Sequence, residues 1–203
     1  MTFSVYIIEA SSPKDFFDRS LDGLATENLL NTMGVTNKVR FVLTRAFLKR
    51  AVEEASAYSI VHVSCHGNNS GIAVGNLSGQ LNWPEFAMLF QCRAEAPYLV
   101  MSSCCGAASG IGSAFEASGV RPPIIFGSTE VLGYSEYSAA WAVLYHRFVC
   151  DGLSKDTAQT ALKQINAVVH DSFLYRRWDE ERECYRSFPP ADAIYTVTRS
   201  RNE

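Results

Sequence analysis

The sequence contains no apolar run long enough to cross a membrane, so no membrane association is expected. Its amino terminus, Met1-Thr2-Phe3-Ser4-Val5-Tyr6-Ile7-Ile8-Glu9, lacks the basic residues that precede a secretory signal core. The expectation is a cytoplasmic protein. An excess of one charge is also missing. The net charge is −3, and no basic stripe interleaved with aromatics appears, so nucleic acid is not an expected partner. The clusters Arg45, Lys49 and Arg50, and Arg176 and Arg177, read as solvated helix faces. There is no internal repeat, low-complexity tract or linker. The six cysteines show neither disulfide-framework spacing nor a Cys-x-x-Cys pair, and they are expected as thiols in a reducing compartment. Cys65-His66, and His146 with Cys150 one helical turn later, carry the residue types of zinc ligands. Adjacent residues do not easily hold one ion, so neither metal nor cofactor is expected.

What is present fits one domain. The chain has 203 residues, 47% of them hydrophobic and 19% charged, enough for one substantial core. Short apolar runs alternate with helical patterns. Strands are predicted over Val5 to Ile8, Val39 to Leu43, Ile60 to Cys65, Tyr98 to Ser103, Pro123 to Gly127 and Ile194 to Thr198. Ser12 before Pro13 is a helix start, with helical character from Lys14 to Leu21, and Leu24 to Leu30 forms a second short helix. Thr44 caps a helix running to about Ala57. Asn82, with Pro84 and Glu85, caps another through Phe90. Further helices are expected over Ala107 to Ser118, Tyr137 to Val149 and Ser154 to His170. Arg176 to Arg186 either extends the last helix or loops out. Ile72 to Val74 and Leu77 to Leu81 pair as a hairpin turning at Gly75-Asn76. The alternation predicts an α/β fold: a mostly parallel sheet of about six strands with helices on both faces.

Two strands stop on reactive side chains. One reads Ile60-Val61-His62-Val63-Ser64-Cys65-His66-Gly67, the other Tyr98-Leu99-Val100-Met101-Ser102-Ser103-Cys104-Cys105-Gly106. In an open parallel sheet, ligands bind in the crevice beyond the carboxyl ends of the strands. Neighbouring strands ending this way bring an imidazole and a thiol to one crevice, as cysteine catalysis requires. Small residues follow each, so backbone amides approach a substrate closely. The amides of Gly67 and Cys104 are then candidate oxyanion donors, with His66 carrying a proton to the leaving amine. Ser102, two residues before the thiol, and Ser128 to Glu130, after the next strand, are expected near the specificity pocket. Glu130 there would favour a basic side chain, or is a solvated loop carboxylate. Cys65, Cys92, Cys105, Cys150 and His62 read as packed core, and Cys184 as an incidental, partly exposed thiol. His146 and His170 fall in helical patterns and read as surface or core residues.

The two segments resemble the caspase-type cysteine peptidases, and most closely their CHAT-type bacterial members. In that clan a His-Gly pair ends one strand and an Ala-Cys pair the next; Cys65-His66-Gly67 and Ser103-Cys104-Cys105-Gly106 match these elements. Leu77-Ser78-Gly79-Gln80-Leu81 leading into a helix, and the strand ending at Gly127-Ser128, are also similar, so the likeness spans roughly Val39 to Val169. The resemblance implies a caspase-like three-layer sandwich and endopeptidase cleavage of a protein or peptide partner by Cys104 and His66. It further implies activation by a protein partner in a bacterial defence or cell-death setting. Ser102-Ser103-Cys104 replaces the Gln-Ala-Cys of caspases and the His66-to-Cys104 separation is shorter, so aspartate specificity is not carried over. Two rival readings are an inactive caspase-like interaction module and a thiol acyltransferase or amidase.

Overall fold

The computed structural model describes residues 3–190, with backbone alone at 76–79. In chain order the elements are β1 (Ser4–Glu9), α1 (Pro13–Asp18), α2 (Asp22–Thr32), β2 (Thr36–Phe41), α3 (Arg45–Glu54), β3 (Ile60–Ser64), β4 (His66–Asn68), β5 (Gly71–Val74), β6 (Asn76–Asn82), α4 (Trp83–Met88), β7 (Tyr98–Ser102), α5 (Ser109–Ser118), β8 (Ile124–Ser128), α6 (Tyr134–Asp151), α7 (Lys155–Val168), β9 (Phe173–Asp179) and β10 (Cys184–Phe188). Seven strands form the main sheet in the order β10-β9-β8-β7-β3-β1-β2. The strands from β2 to β8 run parallel, and β9 and β10 are antiparallel additions at the other edge. None of the described helices is long and apolar enough to cross a membrane.

The central strands are mostly apolar and almost wholly buried because helices cover both faces, as in other parallel sheets. Alternation along β1 sorts its residues between two cores. Tyr6 and Ile8 join Leu48, Val52, Phe86 and Phe115 under α3, α4 and α5. Val5 and Ile7 join Leu30, Trp141, Phe148 and Leu162 under α2, α6 and α7. The result is a three-layer α/β sandwich. The register Ser64↔Ser102 makes β3 and β7 finish level with each other, which is what sets up the site.

The capped helix starts form as predicted. Thr44 accepts from the Phe47 amide, and Ser12 with Asp15 and Asn82 with Glu85 make full capping boxes with a proline at the helix start. Helix α1 nevertheless buries none of its residues, and Phe17 is 88% exposed.

Several expectations are corrected. β3 ends at Ser64, and His66 opens a separate strand, β4, which pairs with β5 in a small sheet of order β4-β5-β6. β2 lies earlier than predicted, over Thr36–Phe41. The charged stretch beyond Phe173 neither extends a helix nor loops out but forms the β9–β10 hairpin. The reason is that Phe173, Tyr175 and Trp178 are buried, while the Arg176 guanidinium, between them, donates to the Ala107 carbonyl at 3.0 and 2.8 Å and to Ser187. Cys92 and Cys150 are exposed instead of packed in the core. The strand predicted over 194–198 lies outside the described residues.

Candidate active site

Beyond Ser64 and Ser102 the two chains stay in contact before they diverge. The Cys65 amide donates to the Ser102 carbonyl at 3.1 Å. β7 then enters a tight turn in which the amides of Cys105, Gly106 and Ala107 are taken by Glu130, Ser103 and Ser128 carbonyls at 2.9–3.0 Å. Cys105 sits at φ 56°, the left-handed region that lets the chain turn back so sharply. The Cys104 amide has no acceptor among the described residues. β4 runs close against this turn. A Cβ on Gly67 would stand 2.7 Å from the Cys104 carbonyl oxygen, so only glycine permits the approach.

His66 and Cys104 therefore line one cleft of about 160 Å³ beyond the strand ends, together with Ser102, Cys65, Asp15 and Asp22. The Cys104 thiol lies 3.9 Å from the Leu132 carbonyl, and no hydrogen bond joins it to the imidazole in this state. His66 Nε2 is 2.7 Å from Asp15 Oδ2, leaving Nδ1 without a partner among the described residues. Asp15 is half-buried, which opposes its ionisation. Hydrogen bonds from the Ser12 hydroxyl and amide and from His66 outweigh that cost and hold its carboxyl below the usual carboxylate range.

Of two further acids near His66, Asp22 lines the cleft and Glu9 is buried behind its wall. Glu9, the last residue of β1, accepts from the Gly23 amide at 2.6 Å, from Ser64 at 3.3 Å and from the Ser11 hydroxyl. Burial raises its pKa to about 7 against the pull of these donors, and the neighbouring Asp22 charge adds to the rise. A Cβ on Gly23 would meet Glu9 Oε2 at 2.7 Å, so the glycine brings the start of α2 onto this carboxylate. Asp22 follows the same path into the cleft. Both of its carboxylate oxygens are buried without a hydrogen-bond partner, and Oδ2 lies 3.5 Å from His62 Nε2.

The other sequence candidates are placed as follows. Ser102 lines the cleft, and its hydroxyl accepts from Trp141 Nε1 at 2.7 Å. Ser128 is fully buried outside the cleft lining, bonded to Ser172 Oγ at 2.8 Å and to the Glu130 amide at 3.0 Å. The Glu130 side chain points to solvent near His170, with 4.0 Å between Oε2 and Nε2; its backbone carbonyl supports the turn after Cys104. Cys65 and Cys105 flank Cys104, and burial pushes both thiols up, keeping them protonated. The sequence reading missed Asp15, Asp22 and Glu9. Asp15 carried a signal, since Ser12 followed three residues later by an acid forms a capping box. Asp22 and Glu9 carried none, because only the folded chain brings them beside residues 62 to 66.

No family model and no curated protein sequence matches the chain. Among solved structures it is similar to a secreted C11 cysteine protease from Bacteroides thetaiotaomicron, iotapain, with a TM-score of 0.55 and 10% identity, covering 87% of this chain and 67% of that one. It is also similar to the complex of Porphyromonas gingivalis RgpB pro- and mature domains, with a TM-score of 0.53 and 10% identity, covering 83% of this chain and 44% of that one. At this identity the similarity defines the fold, which is that of the caspase-like cysteine proteases.

Proposed function

We propose that the protein is a cysteine endopeptidase of the caspase-like type, close to the CHAT-type members, that cleaves a protein or peptide substrate. The observation that carries this reading is the meeting of His66 and Cys104 on one cleft wall at two adjacent strand ends, with Asp15 fixed on the far side of the ring. In the reaction Cys104 gives its proton to His66, and the thiolate attacks the scissile carbonyl carbon. The resulting oxyanion is held by the unengaged Cys104 amide and that of Gly67. His66 then protonates the leaving amine, the C–N bond breaks and an acyl-enzyme remains. Water, deprotonated by His66, attacks the thioester, releasing the acid and restoring the thiol. Asp15 holds the imidazole in place and stabilises its charged form, the role of the third group in a triad.

Asp22 supplies specificity. A buried carboxylate with both oxygens unpaired is costly, and a guanidinium or ammonium entering the cleft offsets that cost. The residue on the amino side of the scissile bond is accordingly arginine or lysine, selected by Asp22 and not by Glu130. The proposal extends to a cytoplasmic defence or cell-death role with an activating protein partner, which rests on the sequence resemblance. An inactive interaction module is the second reading, favoured by the lack of a hydrogen bond between His66 and Cys104 in this state.

A peptide-library cleavage profile, together with labelling by an electrophilic probe, separates the two. Cleavage after basic residues, with label on Cys104 and both lost in Cys104→Ala and His66→Ala, is expected. A Cys104 that takes no label, alone or with candidate partners, would sink the enzymatic reading.

A further inference from the structure

Three polar atoms without a hydrogen bond lie together behind the cleft: Asp22 Oδ1, Asp22 Oδ2 and His62 Nε2. Asp22 lines the cleft with His62 behind it, and a buried carboxylate left without donors is costly, so a donor entering the cleft would be bound there. His62 lies mid-strand in β3 and is fully buried. Its other nitrogen, Nδ1, is 2.8 Å from the Tyr145 hydroxyl of α6. Trp141 stands edge-on to the imidazole with centroids 5.8 Å apart, so the ring is fixed in place.

These contacts determine where the imidazole proton sits. Tyr145 is fully buried and keeps its proton, because burial and the Asp22 charge push the phenol well above its ordinary range. A buried O–H needs an acceptor, and Nδ1 is the one in reach among the described residues. Nδ1 therefore carries the lone pair and Nε2 the proton. That N–H faces Asp22 Oδ2 at 3.5 Å, too long for a well-formed hydrogen bond. In this tautomer Nε2–H is a donor facing Asp22 that has not closed onto it.

Accepting that Asp22 receives the basic side chain, we propose that His62 is its positioning residue, held in one tautomer by Tyr145. When a cationic side chain enters and takes Asp22 Oδ1, His62 Nε2–H closes onto Oδ2 and fixes the carboxylate plane. Two bonds formed together then satisfy all three unpartnered atoms. Selectivity for a basic residue is in this way set two layers behind the substrate, on the face of the sheet covered by α6.

The test uses two peptides that differ at a single residue, arginine or its neutral isostere citrulline, before the scissile bond. With the arginine peptide, His62→Leu and Tyr145→Phe raise KM by at least about tenfold, the scale of one hydrogen bond to a charged group, with kcat little changed. With the citrulline peptide neither variant changes KM. His62→Gln, which keeps a donor, recovers part of the loss. Equal effects on both peptides, or no effect on either, would overturn the positioning role. The underlying Asp22 reading fails differently: the wild-type protein and Asp22→Asn would then treat the two peptides alike. A measurement free of catalysis stands beside this. Nitrogen NMR of the labelled protein should show His62 as the Nε2–H tautomer, with that proton shifted by agmatine, a guanidinium that cannot be cleaved. An Nδ1–H tautomer, or an Nε2–H that ignores agmatine, refutes the relay even if a variant fails to fold.

Discussion

His66 Nε2 stands 2.7 Å from Asp15 Oδ2, and the same carboxylate closes the capping box that starts α1. One side chain thus serves both the imidazole and the helix beside it. Asp15→Asn keeps a hydrogen-bonding group near Ser12 but removes the charge that supports an imidazolium. Cleavage should fall by up to about 10⁴-fold in kcat, the scale of an aspartate-to-asparagine change in a triad. Stability should drop by only about 1 kcal/mol, as for a weakened cap. Steady-state kinetics and urea unfolding on the same preparation check both numbers. Unchanged kinetics would show that Asp15 acts on the helix alone.

Glu9 makes the fold's stability depend on pH in a defined direction. Its pKa is about 7 in the folded protein, against about 4.3 when solvated in the unfolded chain. Ionising it in place is unfavourable, so its contribution is fully present at acid pH and declines as pH rises to about 7. The difference is worth about 4 kcal/mol. Glu9→Gln removes this slope. Relative to the wild type, the variant should therefore gain stability between pH 5 and pH 8, and denaturant titrations at the two pH values measure the gain. A constant offset between the two proteins would mean that Glu9 is ionised throughout.

Gly67 is set by contact. An added Cβ meets the Cys104 carbonyl oxygen at 2.7 Å and the Ser103 Cβ at 3.2 Å, both fixed parts of the turn. Gly67→Ala must displace β4 or the turn itself, and each carries half of the site. Cleavage should be lost by about 100-fold or more, while the overpacking costs about 1–3 kcal/mol of stability. Kinetics paired with a thermal melt read the two effects separately.

The second cysteine of the pair serves geometry. Cys105 occupies the left-handed region at φ 56° and is buried. Comparing Cys105→Ala with Cys105→Gly isolates the backbone, and glycine should be the more stable by about 1 kcal/mol, the reverse of the usual order. Cleavage should survive in Cys105→Ala. Its loss there would place a catalytic role on the wrong side of the turn.

The strands of the parallel sheet were legible because burial on both faces leaves apolar runs, as in Leu99 to Met101 and Ile124 to Phe126. Capped helix starts were legible because Thr44 and Asn82 act over three residues of sequence. The β9–β10 hairpin was not, since Arg176 and Arg177 look solvent-exposed until the Ala107 carbonyl is found waiting for one of them. At the candidate site, the two motifs pointed to His66 and Cys104, which line one cleft although His66 opens β4 instead of ending β3. Asp22 and His62 were invisible as a pair, because 40 residues of sequence and one strand crossing separate them. Long-range electrostatic partnerships of this kind leave no local periodicity to read.

Helix α1 adds nothing to either hydrophobic core, yet it holds the carboxylate against the imidazole. Elements with so little buried surface open on their own, at a free energy well below that of global unfolding. The grip on His66 can therefore be released and regained while the seven-stranded sheet stays intact. On the proposed mechanism cleavage and foldedness are therefore separable, and mild denaturant should abolish the first long before the second.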